Sequence, residues 1–266
     1  MITTPKITRE RIKEYLNNGK RFDSRKLDEF REFSVELGVS KNAEGSAKVK
    51  IGETEVIAGI KMDMTEPYPD SPNKGNLMVT AELLALSSPR FENGPPKFDA
   101  IEIGRVIDRG IRESNVIDLE KLCIKEGEKV WNIFIDIYSI NDDGNLLDAA
   151  GIAAIIALKN SKIPKYDKEN EKVIHGEWTE ENIPMKKDVP LPITFHKIGN
   201  AIIIDPTLEE EDISETRITI GSSKGTINSI QKSREAVLTE KEMIEILDKV
   251  EKRSEELNKK LEKYLK

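Results

Sequence analysis

Hydrophobic residues alternate with polar ones, or recur every three to four positions, over most of this chain. Residues 8–18 have helical spacing, with Thr8 as the expected N-cap and Gly19 just beyond the last turn. Residues 33–37 and 46–64 alternate as strands do, and the second stretch has the pattern of an antiparallel hairpin. The chain therefore begins with a predicted helix, which is followed by the first strands of a sheet.

The next stretch predicts two helices separated by a strand. Strand, helix, strand and helix follow in turn over residues 77–86, 99–115, 130–140 and 146–161. The side chains expected on the buried side of the first of these helices are Ile101, Ile103, Val106, Ile107 and Ile111. The second helix is rich in Ala, and its small side chains permit close packing on a sheet. Residues 163–192 are rich in Pro and charge, so we expect a connector with at most one strand.

A second set of strands is predicted over residues 193–198, 201–205, 217–221 and 226–231. A long helix follows from a cap at Thr239, and the residues of its expected apolar stripe are Ile244, Leu247, Val250, Leu257, Leu261 and Leu265. Each half of the chain thus has strands followed by a helix, which predicts an α+β fold. We expect a first domain over 1–190, which includes the N-terminal helix, and a second domain over 191–266.

Charge and cysteine content limit the partners and the chemistry of this chain. Its 266 residues have a formal net charge of −7, so any RNA contact needs a local basic ridge or a partner's surface. The single cysteine, Cys123, excludes an intramolecular disulfide and lies in an apolar run, so we expect a buried thiol in a reducing compartment. No Cys/His cluster has the spacing of a zinc site, and we expect neither a metal nor another cofactor.

The hydropathy of the chain predicts neither export nor insertion into a membrane. The N-terminus has neither the apolar core nor the small-residue cleavage site of a signal peptide. No apolar stretch approaches the ~20 residues of a membrane span. We therefore expect a cytoplasmic protein that does not bind a membrane.

Several segments, in order along nearly the whole chain, resemble the RNase PH family. They are Arg21-Phe22-Asp23-Ser24-Arg25, Gly45-Ser46-Ala47, Gly75-Asn76-Leu77, Glu102-Ile103-Gly104-Arg105-Val106-Ile107-Asp108-Arg109, Asp143-Gly144-Asn145-Leu146-Leu147-Asp148-Ala149-Ala150 and Asp205-Pro206-Thr207-Leu208-Glu209-Glu210-Glu211. More narrowly, they are similar to the non-catalytic RNase PH-like ring subunit of the archaeal exosome. No single motif decides the match, which depends on the order of all of them.

The resemblance implies an RNase PH-like fold of duplicated β-α units, with mixed sheets and packed helices. It also implies a hexameric ring in which this chain alternates with a catalytic RNase PH-like exosome subunit, with RNA-binding cap subunits on one face. In such rings, single-stranded RNA enters the central channel and is shortened from its 3′ end by phosphate, which releases nucleoside diphosphates. The implied role of this chain is to support the active site of its partner and to bind the RNA.

The loop before the Ala-rich helix departs from the pattern of active family members. Where these read Asp-Gly-Gly, then Thr or Ser, then Arg, this chain reads Asp143-Gly144-Asn145-Leu146-Leu147, with Asp148 next. A hydroxyl, backbone N–H groups and an Arg at a helix N-terminus favour phosphate, whereas leucines offer no donor and Asp148 adds a repulsive charge. Either change is expected to weaken phosphate binding by about 1–3 kcal/mol. We therefore predict no catalytic residues in this chain and a plain helix start with its leucines in the core.

Asp205 and Glu211 lie where active members carry two acidic residues that serve as acids or metal ligands. Two carboxylates at this separation suffice to hold Mg²⁺ together with waters. The same residues also fit an ordinary turn after a strand and a solvated acidic loop. We assign no metal, and the sequence leaves a residual metal-binding role of the pair open. The alternative function is that the chain is itself an active RNase PH-type phosphorolytic exoribonuclease that uses these carboxylates.

Arg105 and Arg109 are four positions apart on the first long predicted helix, and Arg112 lies about one turn further on. Guanidiniums at this pitch can grip successive phosphates. The resemblance implies that Arg105 and Arg109 contact RNA and reach into the active site of the neighbouring catalytic subunit. Without the resemblance, the residues favour a ladder of intrahelical ion pairs, Asp108–Arg112 and Arg109–Glu113.

Arg112 and Arg25 are additional candidates for basic contacts with RNA. Arg25 and Arg21 flank Asp23 in a basic turn near the N-terminus, which fits a ring interface or an RNA-facing surface as well as a solvated loop. A third hypothesis, a general RNA-binding module unrelated to degradation, agrees least with the ordered motifs.

Overall fold

The structure is a computed structural model and describes residues 4–167 and 169–265. The helices and strands of its first half are α1 (Lys6–Asn17), β1 (Phe33–Leu37), β2 (Gly45–Ile51), β3 (Thr54–Thr65), β4 (Asn76–Glu82), α2 (Phe98–Ser114), β5 (Cys123–Lys125), β6 (Lys129–Asn141) and α3 (Leu146–Lys159). Those of its second half are β7 (Lys162–Asp167), β8 (Lys172–Asn182), β9 (Leu191–Ile198), β10 (Ala201–Ile204), α4 (Leu208–Ile213), β11 (Thr216–Ser223), β12 (Thr226–Ser233) and α5 (Glu240–Leu261). Short 3-10 helices lie at Leu119–Leu122 and Glu262–Tyr264.

The first sheet has the strand order β1-β2-β3-β6-β4, and β5 pairs with the first residues of β6. Neighbouring strands are antiparallel except β4 and β6, which are joined through α2 and run parallel. Every second side chain of the central hairpin is buried, among them Val49 on β2 and its cross-strand neighbour Val56 on β3. This period of two places one apolar face of the sheet against α2 and α3.

Helix α3 lies between the first sheet and a second, four-stranded sheet. Its side chains from Leu146 to Leu158 are all buried, and it contacts β2 and β3 of the first sheet and β9 of the second. Small residues make this close approach workable, since a Cβ at Gly151 would lie 2.5 Å from Cγ of Pro192. The predicted packing of an Ala-rich helix on a sheet is confirmed, and α3 fixes the position of the loop at its own N-terminus.

The second sheet has the order β10-β9-β11-β12, with every neighbouring pair antiparallel. Thr194 on β9 bonds to α3, so the adjacent Ile193 and Phe195 point to the opposite face, where α5 packs against β9 and β11. A capping box between Thr239 and Glu242 starts α5, as the sequence predicts for Thr239. The α+β fold with strands followed by a helix in each half is confirmed.

Several local predictions are wrong. Residues 163–192 were expected to contain at most one strand, but most of the hairpin β7–β8 lies there. The hairpin was missed because most of its side chains are exposed and show no alternating pattern. The strand predicted over 77–86 ends at Glu82. Thr8 lies inside α1, whose N-cap is Pro5, although Gly19 follows the helix with a φ of 70° as expected.

Some side chains expected in the core are not fully buried, and Leu247 and Leu265 of the α5 stripe are only half-buried. Ile101 is 50% exposed on α2 and Ile244 is 53% exposed on α5, where the fully buried Ile246 takes its place. Cys123 is half-buried at the start of the edge strand β5. Apolar spacing therefore identified α1, α2, α3 and α5, but it misplaced the edges of the buried faces of α2 and α5. It also missed the short helix α4, where a turn and a solvated acidic loop were expected. None of the helices in the described part of the chain is long and apolar enough to cross a membrane.

Candidate functional site

Asp205 follows β10 and its carboxylate is the centre of a buried ion cluster. Arg31 donates to it from its backbone N at 2.7 Å, from Nε at 2.9 Å and from Nη2 at 2.8 Å. Arg25 Nη1 donates at 2.9 Å and Asn145 Nδ2 at 2.8 Å. Burial alone would raise the pKa of Asp205, but the hydrogen bonds and charge of Arg31, helped by Arg25, hold this pKa below its usual value.

The hydrogen bonds of the Asp205 carboxylate join distant parts of the chain. A carboxylate has about four lone-pair sites, and five N–H donors already converge on the two oxygens of Asp205. Arg31 extends the cluster to Asp143, whose backbone O accepts from Nη1 at 2.8 Å. The Asp205 carboxylate thus anchors the residue-143 loop to β10. Within residues 4–167 and 169–265, no group of three or more His, Cys, Asp or Glu residues could hold a metal ion.

Glu211 occupies the N-terminus of α3. Its Oε2 accepts a 2.7 Å hydrogen bond from the backbone N–H of Asn145, the N-cap of the helix. Asn145 has a φ of 60°, a left-handed conformation that Asn tolerates better than most residues. Unpaired N–H groups and the helix dipole favour an anion at this place. Here the anion is a carboxylate of the same chain, at the place where the resemblance puts phosphate in active members.

The residues after Asn145 turn inward. Leu146 and Leu147 are buried, which confirms a helix start with its leucines in the core. Asp148 was expected to repel an anion, but its side chain is fully buried and accepts hydrogen bonds from Thr194 N at 3.1 Å and Thr194 Oγ1 at 2.6 Å. The repulsion is a wrong prediction, because the carboxyl faces β9 and burial raises its pKa to about 7.

A cavity of about 470 Å³ opens beside this helix start. Its acidic and basic lining residues are Arg90, Arg217, Arg234, Asp99, Glu102, Asp142, Glu211 and Asp212. Arg90 donates to Asp142 at 2.6 Å and to Asp212 at 2.8 Å, and Arg217 pairs with Glu102. Arg234 Nη1 donates to the backbone oxygen of Ser214 at 2.6 Å. The guanidiniums are therefore committed within the chain and are outnumbered by carboxylates, which does not favour phosphate.

The three arginines of α2 differ in their surroundings. Arg105 is exposed and makes no hydrogen bond or ion pair with any residue that the structure describes. Arg109 is exposed, and its Nη1 donates to Gln231 Oε1 on β12 at 3.3 Å. Arg112 pairs with Asp108 at 2.7 Å and donates to the backbone oxygen of Leu77 at 3.1 Å. Of the two ion pairs of the alternative ladder, the one between Asp108 and Arg112 forms, and Arg109 turns to Gln231 instead of Glu113.

Arg25 belongs to the Asp205 cluster. Its side chain is only 11% exposed, with Nε donating to Asp23 at 2.7 Å and Nη1 donating to the backbone and side-chain oxygens of Asp205. Arg21, its neighbour in the sequence motif, is buried and paired with Glu210. Both guanidiniums are turned into the protein, so Arg25 is not offered to a ligand as the basic turn suggested.

Arg31 and Gln231 are among the residues of these arrangements that were not found from the sequence. Arg31 lies in a polar stretch with no periodicity, 174 positions before Asp205, and Gln231 lies 122 positions after Arg109. Neither spacing follows a local rule. These two contacts join the first half of the chain to the second, so they become visible only when the two halves are packed together.

Comparisons with known proteins agree with this architecture. The 3′ exoribonuclease family matches over its domain 1 at residues 29–164 and over its domain 2 at residues 188–250. A protein of Methanocella arvoryzae, exosome complex component Rrp42, is 46% identical over 257 residues, which cover 96% of each chain. Its namesake in Pyrococcus abyssi is 44% identical over 256 residues, or 95% of this chain and 93% of the relative.

Solved structures extend the comparison. A chain of the Archaeoglobus fulgidus exosome with RNA bound to the active site superposes with a TM-score of 0.88 at 42% identity, covering 96% of this chain and 98% of that one. Rice Rrp46, at 16% identity and a TM-score of 0.69 over 92% of this chain and all of that one, shares the fold. The chain therefore belongs to the RNase PH-like 3′ exoribonuclease family.

Proposed function

We propose that this chain is a ring subunit of an archaeal exosome that has no phosphorolytic activity of its own and supports RNA degradation by a catalytic partner. The subunit assignment is supported by relatives named as exosome components and by exosome structures, at 42–46% identity over nearly the whole chain. The lack of activity is inferred from the residues of the site. The two inferences are independent of one another, since a ring subunit of this family could have either a complete or an incomplete phosphate site.

The observation that carries the non-catalytic role is the carboxylate of Glu211 at the N-terminus of α3. Its 2.7 Å hydrogen bond with Asn145 N uses a donor that phosphate would need, and its charge repels a phosphate dianion. Leu146 and Leu147 supply neither hydroxyl nor guanidinium. The alternative of an active exoribonuclease requires Asp205 and Glu211 to be free, and both are bound within the chain.

The RNA-binding part of the proposal depends on α2. Arg105 and Arg109 are exposed on the same face of α2, four residues or about 6 Å apart along the helix axis. Among the residues that the structure describes, neither is paired with a carboxylate. We assign the RNA contact to these two residues. Arg112 is a weaker candidate because its charge is offset by Asp108, and Arg25 is left out because it is buried in the Asp205 cluster.

The partners follow from the same proposal. They are a catalytic RNase PH-like subunit that alternates with this chain in a hexameric ring, RNA-binding cap subunits, and single-stranded RNA in the channel. We place the complex in the cytoplasm and the boundary between the two domains of this chain at residues 190 and 191.

Reconstitution tests the proposal. The purified chain, its catalytic partner, and the mixture of both are incubated with single-stranded RNA with and without phosphate, and release of nucleoside diphosphates is measured. Only the mixture is expected to shorten the RNA efficiently, and native mass measurement is expected to show a hexamer of both chains. Phosphate-dependent shortening by this chain alone would overturn the non-catalytic role. Failure to form rings would overturn the subunit assignment.

A further inference from the structure

Arg109 on α2 is held by Gln231, a residue of the second sheet. Its Nη1 donates to Gln231 Oε1 at 3.3 Å, and the two residues are 122 positions apart. We propose that Gln231 is a positioning residue, which holds the Arg109 guanidinium in the orientation that binds an RNA phosphate. The inference depends on the proposed function, because it concerns the RNA contact assigned there to Arg109.

The contact between α2 and β12 brings the two residues together. Ser229, Gln231 and Ser233 alternate on the half-buried face of β12. Gly110, beside Arg109, lies next to Ser229: an added Cβ there would be 3.7 Å from Ser229 Oγ, an ordinary van der Waals contact. At Gly221, across the sheet from Ser229, an added Cβ would lie 2.6 Å from the same oxygen. Helix α2 therefore packs against β12 at this point, and Gln231, two positions along the strand from Ser229, meets the Arg109 side chain.

The chemistry of Gln231 suits an orienting role. Its amide oxygen accepts from Arg109, while its Nε2 donates to the backbone oxygen of Lys232 at 3.2 Å. Both ends of the amide are thus engaged, so the acceptor is fixed in place. A neutral acceptor orients the guanidinium and leaves its positive charge intact, whereas a carboxylate would offset that charge.

The other arginines of α2 show what Arg109 would lack without this contact. Arg105 has no partner among the described residues, and Arg112 is paired with the carboxylate of Asp108. Arg109 alone combines full charge with a fixed direction. Ordering a long side chain before RNA arrives reduces the conformational entropy that binding would otherwise cost. The second half of the chain thereby contributes to an RNA contact that belongs to the first half.

A double-mutant cycle in the assembled ring tests the inference. Dissociation constants of a fluorescent single-stranded RNA are measured without phosphate, so that the RNA is not shortened. Gln231→Ala is expected to weaken binding about threefold in the otherwise unchanged ring and in an Arg105→Ala background. In an Arg109→Ala background it is expected to have no further effect. Thr226→Ala, at an exposed position of the same strand, serves as the matched control and should not change the affinity.

Each outcome of the cycle decides between the alternatives. A general structural role of Gln231 predicts the same loss in all backgrounds and a lower unfolding temperature, and that result would overturn the inference. An unchanged RNA affinity of the Gln231→Ala ring would also overturn the inference. If Arg109→Ala still weakened RNA binding in that case, the RNA contact assigned to Arg109 would stand. If Arg109→Ala has no effect on RNA affinity, the assigned contact fails, and the positioning role fails with it.

Discussion

The carboxylate of Glu211 accepts a 2.7 Å hydrogen bond from the backbone N–H of Asn145, so that the N-terminus of α3 carries an anion from its own chain. The same carboxylate lies 3.5 Å from Arg217, which pairs in turn with Glu102 of α2. Glu211 therefore links α4 to both long helices of the first half. An acidic residue that the family resemblance assigns to chemistry here serves the packing of the helices.

The first prediction concerns Glu211. Replacing it with Gln removes a negative charge next to the N-terminus of α3, which is expected to lower the free energy of unfolding by about 1 kcal/mol. The variant is not expected to gain activity, because Leu146 and Leu147 still provide no phosphate donors. Denaturant unfolding and the phosphate-dependent RNA assay check both statements. Phosphorolysis by the variant alone would show that Glu211 is the main obstacle to catalysis.

The second prediction concerns Asp205. Asp205→Ala leaves the guanidiniums of Arg25 and Arg31 without their buried counter-ion, which is expected to cost about 3–5 kcal/mol of unfolding free energy. Asp143→Ala is the matched control, because Asp143 is 39% exposed and also pairs with Arg31; it should cost less than about 1 kcal/mol. Equal effects of the two variants would contradict the role of Asp205 as the buried counter-ion of Arg25 and Arg31.

The elements of the fold could be predicted because their apolar spacing is a local property of the sequence. The alternation in β2 and β3 and the long, Ala-rich apolar run of α3 leave little choice of structure. The hairpin β7–β8 was missed because β8 is largely exposed and the burial of β7 does not alternate, so neither strand shows a period of two. Ile101 and Ile244 were assigned to the core because spacing cannot tell where a buried helix face ends.

The site was predicted less completely, for a different reason. The loop at 143–148 showed from its residue types that donors are missing. That Glu211 fills the place of the anion could not be predicted, since Asn145 and Glu211 are 66 positions apart and neither is unusual locally. The wrong prediction for Asp148 has the same origin, because its partner Thr194 is on the other sheet. Residue types indicate chemistry, whereas the folded chain decides which groups meet.

The third prediction is a pH dependence that arises from Asp148. Burial raises the pKa of this carboxyl from 3.8 to about 7, so the folded protein binds its proton more tightly than the unfolded chain does. The stability that this proton provides is present below the unfolded pKa and is lost as the pH rises through about 7. Relative to Asp148→Asn, the wild-type unfolding free energy should fall by up to about 1.4 kcal/mol per pH unit between pH 5 and 7. Parallel curves for the two proteins would contradict the raised pKa.

The fourth prediction concerns the exposed arginines of α2. Arg105→Glu combined with Arg109→Glu should leave ring assembly intact, since both side chains are exposed, and should weaken RNA degradation by the catalytic partner. Each lost charge-assisted contact is expected to reduce RNA affinity about tenfold and the salt dependence of binding by about 0.7 per phosphate. Arg112→Glu is the control on the same helix: its guanidinium is already paired with Asp108, so the loss should be smaller. RNA affinity and degradation rate that stay unchanged in the double variant would remove Arg105 and Arg109 from the RNA path.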